Sequence, residues 1–294
     1  MPSRQMDEFI AALGAPVRPA GPPDLTAVRA AVDARYLRLA PPPGVRIEAV
    51  EQPVRGEWVR PARAAARPAV LYLHGGGYVM GRPAHFRGLV AAYAEAGGCS
   101  CFIVDYRLAP EHPFPAALGD AVSAYRKLLA AGTEPGDIVV GGDSAGAGLA
   151  VCLLLALGHA GLPQPRGAFL LSPWTDLTLS GASMNAEPND DPWSSRPDFS
   201  WRAGLYLGGA DPAGPLSSPL FGDLRGLPPL HVEVGTADRL VDDARRLAAG
   251  ASAAGVDVRL EVTDGAVHCF PLHVPAAPES LAAVKRIGRF LRQP

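Results

Sequence analysis

Asp137-Ile138-Val139-Val140-Gly141-Gly142-Asp143-Ser144-Ala145-Gly146 opens as a short apolar strand, Asp137 to Val140, and turns through two glycines. It then runs into an alanine- and leucine-rich helix, Ser144 to His159. At its centre is the pattern G-x-S-x-G. A strand that gives way to a helix within so few residues crowds its own backbone, so glycine is needed two residues either side of the serine. The same turn pushes the Ser144 hydroxyl out at the end of a sheet, beside a helix N-terminus. The five-residue pattern alone is weak, because glycine and serine are common. The strand before it and the helix after it give it weight.

The strand–loop–helix rhythm continues on both sides. Ala69 to Leu73 is an apolar run ending at His74, followed by a helical stretch, Ala84 to Ala96, stopped by Gly97-Gly98. Cys99 to Asp105 reads as a strand and Ala116 to Ala131 as a helix stopped by Gly132. Downstream come strands at Gly167 to Ser172, Leu230 to Val234 and Val256 to Val262, with helices at Asp242 to Ala254 and Glu279 to Leu291. This alternation predicts an α/β fold: a mostly parallel twisted sheet with helices on both faces and right-handed crossovers. Val45 to Val59 alternates enough to form strands, with a hairpin around Gly56.

Two regions depart from the rhythm. Residues 1–44 hold two amphipathic stretches, Phe9-Ile10 with Leu13, and Leu25, Val28, Val32 and Tyr36 at helical spacing. Pro22-Pro23-Asp24 starts the second helix and Pro41-Pro42-Pro43-Gly44 ends the region. Residues 178–224 form a polar, Pro- and Gly-rich insertion bearing Trp193, Phe199, Trp201, Tyr206 and Phe221. It is either a cap over the active site or a surface excursion with its own small core. The N-terminal helices could supply the other half of a cap. The expected organisation is therefore cap helices in 1–44 and one sheet domain in 45–294, interrupted by the insertion.

Composition bounds the function. The chain has 294 residues, 48% hydrophobic and 19% charged, with a formal net charge of −2, so no global field draws it to nucleic acid or an anionic membrane. The first twenty residues contain no apolar core of signal-peptide length, and no stretch approaches the roughly 20 apolar residues of a spanning helix. A soluble cytoplasmic location without stable membrane insertion is expected. Cys99, Cys101, Cys152 and Cys269 lack metal-type spacing, and period-two cysteines on one strand are poorly placed for a disulfide. They read as small buried apolar residues, and neither a metal nor a cofactor is implied.

Acyl transfer at neutral pH needs an activated nucleophile, a base, a group that orients the base, and donors for the oxyanion. Ser144 is the nucleophile candidate. The donors are the amides of Gly75, Gly76 and Gly77, in His74-Gly75-Gly76-Gly77-Tyr78, together with that of Ala145. A flexible glycine turn is the alternative; a phosphate loop is excluded because no G-x-x-x-x-G-K-[ST] pattern is present. His268 lies between the last strand and the last helix and is the base candidate, with His273 its rival. Asp238, just after the strand from Leu230, is the orienting acid, with Asp242 and Asp243 as rivals that read better as helix N-terminal charges. The chain order Ser144, Asp238, His268 is that of the α/β-hydrolase triad, and each candidate falls at the C-terminal end of a predicted strand. Tyr78, Trp193, Phe199, Trp201 and Tyr206 are candidates for the substrate pocket.

These motifs resemble the hormone-sensitive-lipase-like esterases, the bacterial family IV of the α/β-hydrolase superfamily. His74-Gly75-Gly76-Gly77 is similar to that family's oxyanion motif and Gly142-Asp143-Ser144-Ala145-Gly146 to its nucleophile motif. Asp105-Tyr106-Arg107-Leu108-Ala109-Pro110-Glu111, with His112 to Ala117, resembles a further family segment, and His268-x-Phe270 its histidine motif. The resemblance runs from about Arg67 to the C-terminus. It implies a serine carboxylesterase acting on short to medium acyl esters through an acyl-enzyme, without a cofactor. Arg239 stands where the family usually has proline after the acid. Two other readings stay open: an amidase or deacetylase of a small metabolite, and a non-catalytic ligand-binding protein on the same fold. The closing helix and last strand offer surfaces for a homodimer.

Overall fold

The computed structural model describes residues 2–13, 23–36, 43–63, 68–186, 195–273 and 277–293. One sheet is built from β1 (Val45–Val50), β2 (Gly56–Pro61), β3 (Ala69–Leu73), β4 (Ser100–Val104), β5 (Ile138–Asp143), β6 (Gly167–Leu171), β7 (Leu230–Gly235) and β8 (Val258–Thr263). Its spatial order is β1-β2-β4-β3-β5-β6-β7-β8. β1 and β2 form the expected hairpin, β2 also runs antiparallel to β4, and the remaining neighbours are parallel. The strands β3 to β7 are buried end to end, which is why most of them read as continuous apolar runs. The edge strands β1 and β8 instead alternate between half-buried and exposed positions.

Two helical layers cover the sheet. On one face α3 (Pro83–Gly97) and α8 (Pro278–Leu291) pack on Val70, Tyr72, Cys101, Ile103, Val139 and Phe169. On the other, α4 (Ala116–Ala130), α5 (Ala145–His159) and α7 (Val241–Ala253) pack on Leu71, Leu73, Val104, Val140, Leu170 and Val232. Successive strand residues thus feed opposite cores, as the two-residue period of a strand requires. Helix α5 is apolar on every side and buried over almost its whole length, so it forms the centre of its layer. The buried polar pair in β7 is satisfied internally: His231 Nε2 meets Glu233 Oε1 at 2.8 Å, and Arg286 donates to both Glu233 oxygens at 2.8 and 2.7 Å. Cys99, Cys101, Cys152 and Cys269 are free and buried.

The strand after β3 pairs on one side of it, as β4, and the next pairs on the other, as β5. This reversal opens a crevice beyond the C-terminal ends of β3 and β5, where open α/β sheets hold ligands.

The two N-terminal helices dock differently. α1 (Arg4–Leu13) packs beside α8, with Met6 buried among Ala266, Phe270, Ala277 and Ala283, while the Ser3 amide and hydroxyl donate to Glu279 at 2.6 and 2.8 Å. α2 (Leu25–Tyr36) is held by Asp33, which accepts from Arg82 and His85 at 3.1 and 2.8 Å, and by Arg29. The Arg29 guanidinium donates to the carbonyls of Val79 and Ala109 at 2.8 and 2.9 Å and is bidentate to Glu111 at 2.6 and 2.8 Å.

Within the insertion, a 3₁₀ turn at Ala182–Asn185 precedes α6 (Arg196–Leu207). The Ser195 hydroxyl caps α6 by accepting from the Asp198 amide at 3.3 Å. Phe199, Ala203, Tyr206 and Leu207 join the main core, so among the described residues the insertion shows no separate small core of its own. Trp193 lies outside the described residues.

Arg29→Ala removes a charged donor from two backbone carbonyls and is expected to destabilise the protein by about 1.5–3 kcal/mol. Glu111→Gln breaks only a largely exposed ion pair and is expected to cost about 0–1 kcal/mol. Urea unfolding of the two variants checks the ranking.

Candidate active site

The turn between β5 and α5 is tight enough to put Ser144 at φ +52°, ψ −120°, a region that residues with a Cβ rarely occupy. A side chain on Gly142 would strike the backbone of Gly146, and one on Gly146 would strike the carbonyl oxygens of Leu73 and His74. The two glycines therefore let the start of α5 pack directly on the end of β3. The Ser144 amide donates to Leu171 O at 2.8 Å, which fixes the turn to β6 as well.

Three side chains from distant parts of the chain meet at this edge. The Ser144 Oγ lies 3.0 Å from His268 Nε2, and His268 Nδ1 lies 3.1 Å from both Asp238 oxygens. Asp238 follows β7 and accepts the Leu240 amide at 2.9 Å. His268 follows β8, and the next residue is held by a bond from the Cys269 amide to Ser172 Oγ at 2.9 Å. The Cys269 Sγ also approaches His268 Nε2, at 3.5 Å.

The rival acids are engaged elsewhere. Asp243 accepts the amides of Thr175 and Asp176 at 2.8 and 2.9 Å, and Asp242 accepts the Ser183 amide at 2.8 Å. Both sit in the first turn of α7, as expected, and Asp243 is in addition buried. The side chain of His273 lies outside the described residues. Arg239, in the position after the acid, is buried and donates to Met184 O at 3.0 Å and Ala186 O at 3.3 Å. The turn that carries the acid thus also ties down the root of the insertion.

The glycine loop requires one correction. Gly75 does not offer its amide to the crevice, because that N–H donates to Asp143 Oδ1 at 2.9 Å. The same oxygen accepts the Tyr72 hydroxyl at 2.8 Å. Among the described residues, the amides of Gly76, Gly77 and Ala145 have no protein acceptor. Gly76 and Gly77 adopt φ of +119° and +64°, which their lack of a Cβ permits. His74 lies beneath the loop, stacked on Tyr106 at 4.2 Å between ring centroids, and its Nδ1 donates to Gly75 O at 2.8 Å. The Tyr106 hydroxyl donates to His74 O at 2.6 Å.

Electrostatics follow from burial and pairing. Burial holds His74 at a pKa of about 4, so the ring is neutral. Burial also lifts Asp143 to about 6 and Cys269 to about 11, which keeps the thiol uncharged at neutral pH. For the pair, burial opposes both charges; His268 outweighs it at Asp238, and Cys269 together with Asp238 outweighs it at His268. The Asp238 carboxyl is held below its usual range and the His268 imidazolium above its own.

A cavity of about 140 Å³ opens onto Ser144 and His268. Its apolar wall includes Val32 and Tyr36 of α2, Met80, Phe86, Phe199 and Leu272, and Arg202 of α6 contributes the one arginine among the lining residues. None of the described α1 residues reaches it. Of the described aromatic pocket candidates, only Phe199 lines this cavity. Tyr78 and Tyr206 stack on each other at 3.7 Å and are buried behind it, with Trp174 at 6.1 Å from Tyr78. Aromatic rings bury the most area where both faces are covered, and that stack joins the glycine loop to α6. Trp201 is half-buried on α6 but is not part of the lining. Asp143, Arg202 and Arg239 escaped the sequence reading as functional side chains. Asp143 left a trace there as the variable position of the serine motif, and Arg239 as the departure from proline after the acid.

Residues 70–272 match the family described as alpha/beta hydrolase fold. An acetyl-hydrolase of Streptomyces hygroscopicus is 46% identical over 236 residues, covering 80% of this chain and 79% of that protein. Among solved structures, an esterase from the bacterial hormone-sensitive lipase family superposes with a TM-score of 0.93 at 40% identity, covering 99% of this chain and 98% of its own. EstE5, soaked with p-nitrophenyl butyrate, superposes with a TM-score of 0.94 at 37% identity over the same shares. The chain belongs to the α/β-hydrolase family, among the bacterial esterases of the hormone-sensitive lipase type.

Proposed function

We propose that this protein is a serine carboxylesterase that hydrolyses esters of short acyl chains through Ser144, His268 and Asp238. The observation that carries the reading is the 3.0 Å approach of Ser144 Oγ to His268 Nε2, with that ring in turn bonded to the buried Asp238. The names of the relatives, acetyl-hydrolase and esterase, agree with it.

His268 Nε2 takes the hydroxyl proton as Ser144 attacks the ester carbonyl. Asp238 keeps Nδ1 protonated and stabilises the imidazolium that forms. Charge on the carbonyl oxygen is met by the free amides of Gly76, Gly77 and Ala145, held in place before the substrate arrives. The alcohol leaves with the proton from His268. Water then repeats the sequence on the acyl-enzyme and releases the acid. The insertion and α2 act as the cap, since Phe199 and Arg202 from one and Val32 and Tyr36 from the other close the cavity.

Ser144→Ala is expected to lower kcat for p-nitrophenyl butyrate by at least about 1,000-fold and to abolish labelling by a fluorophosphonate probe. Retention of either would overturn the assignment. A matched amide should be hydrolysed far more slowly than the ester; the reverse result would make the protein an amidase.

The base must be neutral to act. Because Asp238 favours the imidazolium, kcat/KM is expected to rise with pH through an apparent pKa above the ordinary histidine value of about 6.5 and then level off. Asp238→Asn removes that support, so the acid limb should shift to lower pH while kcat falls by at least about 100-fold. A pH–rate profile of both proteins reads the sign.

A cavity of about 140 Å³ walled by Phe86, Phe199 and Leu272 suits acetyl to butyryl groups. Turnover should fall steeply from butyrate to decanoate esters, and Phe199→Ala should extend the range. Equal rates across the series would refute the assignment of this cavity to the acyl chain.

A further inference from the structure

Arg202 stands apart from the other arginines that touch the core. Arg29, Arg239 and Arg286 each donate to carbonyls or carboxylates. Arg202 forms no hydrogen bond or ion pair among the described residues, and its Nε is buried without an acceptor. Asp198, one turn earlier on α6, attracts it only at a distance, because that carboxylate is engaged by the Ser195 hydroxyl at 2.6 Å. Burial works against the charge and lowers the Arg202 pKa, yet a guanidinium stays protonated at neutral pH.

The position of this charge is specific. The Arg202 stem lies over the glycine loop, where a Cβ on Gly77 would come within 2.5 Å of Arg202 Cδ. The side chain forms part of the same cavity wall as Ser144, His268, Gly76 and Gly77. Most other lining groups are apolar or glycine, so Arg202 brings a positive charge to a largely apolar wall. Two polar groups nearby are already engaged: Asp143 by Gly75 and Tyr72, and His85 Nε2 by Asp33. Arg202 is half-buried, and a guanidinium fork whose buried Nε has no acceptor of its own is complementary to a planar oxyanion.

We propose that Arg202 is a specificity-determining residue that binds a carboxylate carried by the substrate, so that the preferred substrates are esters bearing a negative charge a short distance from the scissile carbonyl. This rests on the esterase reading above. The carboxylate belongs either to the acyl part or to the leaving alcohol, and two matched pairs separate these sources. Monomethyl glutarate against methyl glutaramate places the charge on the acyl side; p-acetoxybenzoate against p-acetoxybenzamide places it on the alcohol.

The readout is the ratio of kcat/KM for the acid to that for its amide twin. Arg202→Met is expected to lower that ratio roughly 10- to 100-fold in one of the two pairs, the range of a charge-assisted hydrogen bond, mainly through KM. Arg202→Lys should recover part of it. In the native enzyme, raising NaCl should lower the ratio and leave the amide twin unaffected, and glutarate should inhibit better than glutaramide. These native-enzyme measurements stand even where a variant fails to fold. A ratio that is the same in native enzyme and Arg202→Met for both pairs, or insensitive to salt, would overturn the proposal. So would an equal loss on acid and amide, which would make Arg202 a support of the glycine loop. Loss of turnover on all four esters in the native enzyme would instead count against the esterase reading itself.

Discussion

The Asp143 carboxylate, buried between the nucleophile turn and the glycine loop, is the interaction on which the site's geometry depends. One oxygen receives both the Gly75 amide and the Tyr72 hydroxyl, from the loop after β3 and from β3 itself. The serine comes from β5, and the oxyanion donors come from both sides of the join, so their relative position is set by how closely these two strands approach at their ends. Glycine at 146 lets α5 rest on the β3 carbonyls, and the carboxylate then locks the loop in register with the turn. Holding Gly75 aside leaves the next two amides turned outward. A buried carboxylate without those donors would be costly, so the arrangement is tightly coupled: the loop needs the acid's oxygen and the acid needs the loop's N–H.

The same logic extends to the cap. Each covering element is tied to the body by a charged side chain that reaches backbone carbonyls or amides. Arg29 grips Val79 and Ala109 just beyond the glycine loop, so α2 and its cavity residues are placed relative to the oxyanion donors. Arg239, Asp242 and Asp243, all in or beside the turn that carries Asp238, hold Thr175, Asp176 and residues 183–186. A proline after the acid could not make the bonds that Arg239 makes. In this chain the orienting acid and the start of the insertion are therefore one mechanical unit, and movement of either would be felt at His268.

The sheet, its helices and the meeting of Ser144, Asp238 and His268 were legible because each rests on a short-range signal. Apolar runs mark buried strands, glycines mark crowded turns, and chain order restricts which acid and which histidine can meet the serine. The pocket was not legible to the same degree. Aromatic residues in the insertion suggest a lining, but whether a ring faces a cavity or a partner ring depends on packing between segments far apart in sequence. Tyr78 and Tyr206 are separated by more than a hundred residues and stack on each other, while Phe86 and Leu272, from α3 and the histidine loop, form the wall. The glycine loop failed for a related reason. Three consecutive glycines look equivalent in sequence, and only the carboxylate of a distant residue decides which amide is spent internally.

Charge placement completes the picture. Among the described residues, the buried carboxylates of the sheet and its rim have matched neighbours: Glu233 with His231 and Arg286, Asp238 with His268, Asp243 with two amides. Such matching is what makes a buried charge tolerable, since an isolated one loses its hydration without compensation. The half-buried Arg202 has no such match for its Nε, and it stands beside the nucleophile, where a partner can arrive from outside. A charge left unsatisfied there raises the free energy of the empty site relative to the occupied one. That difference is available to select a ligand, whereas the same charge paired within the protein would select nothing.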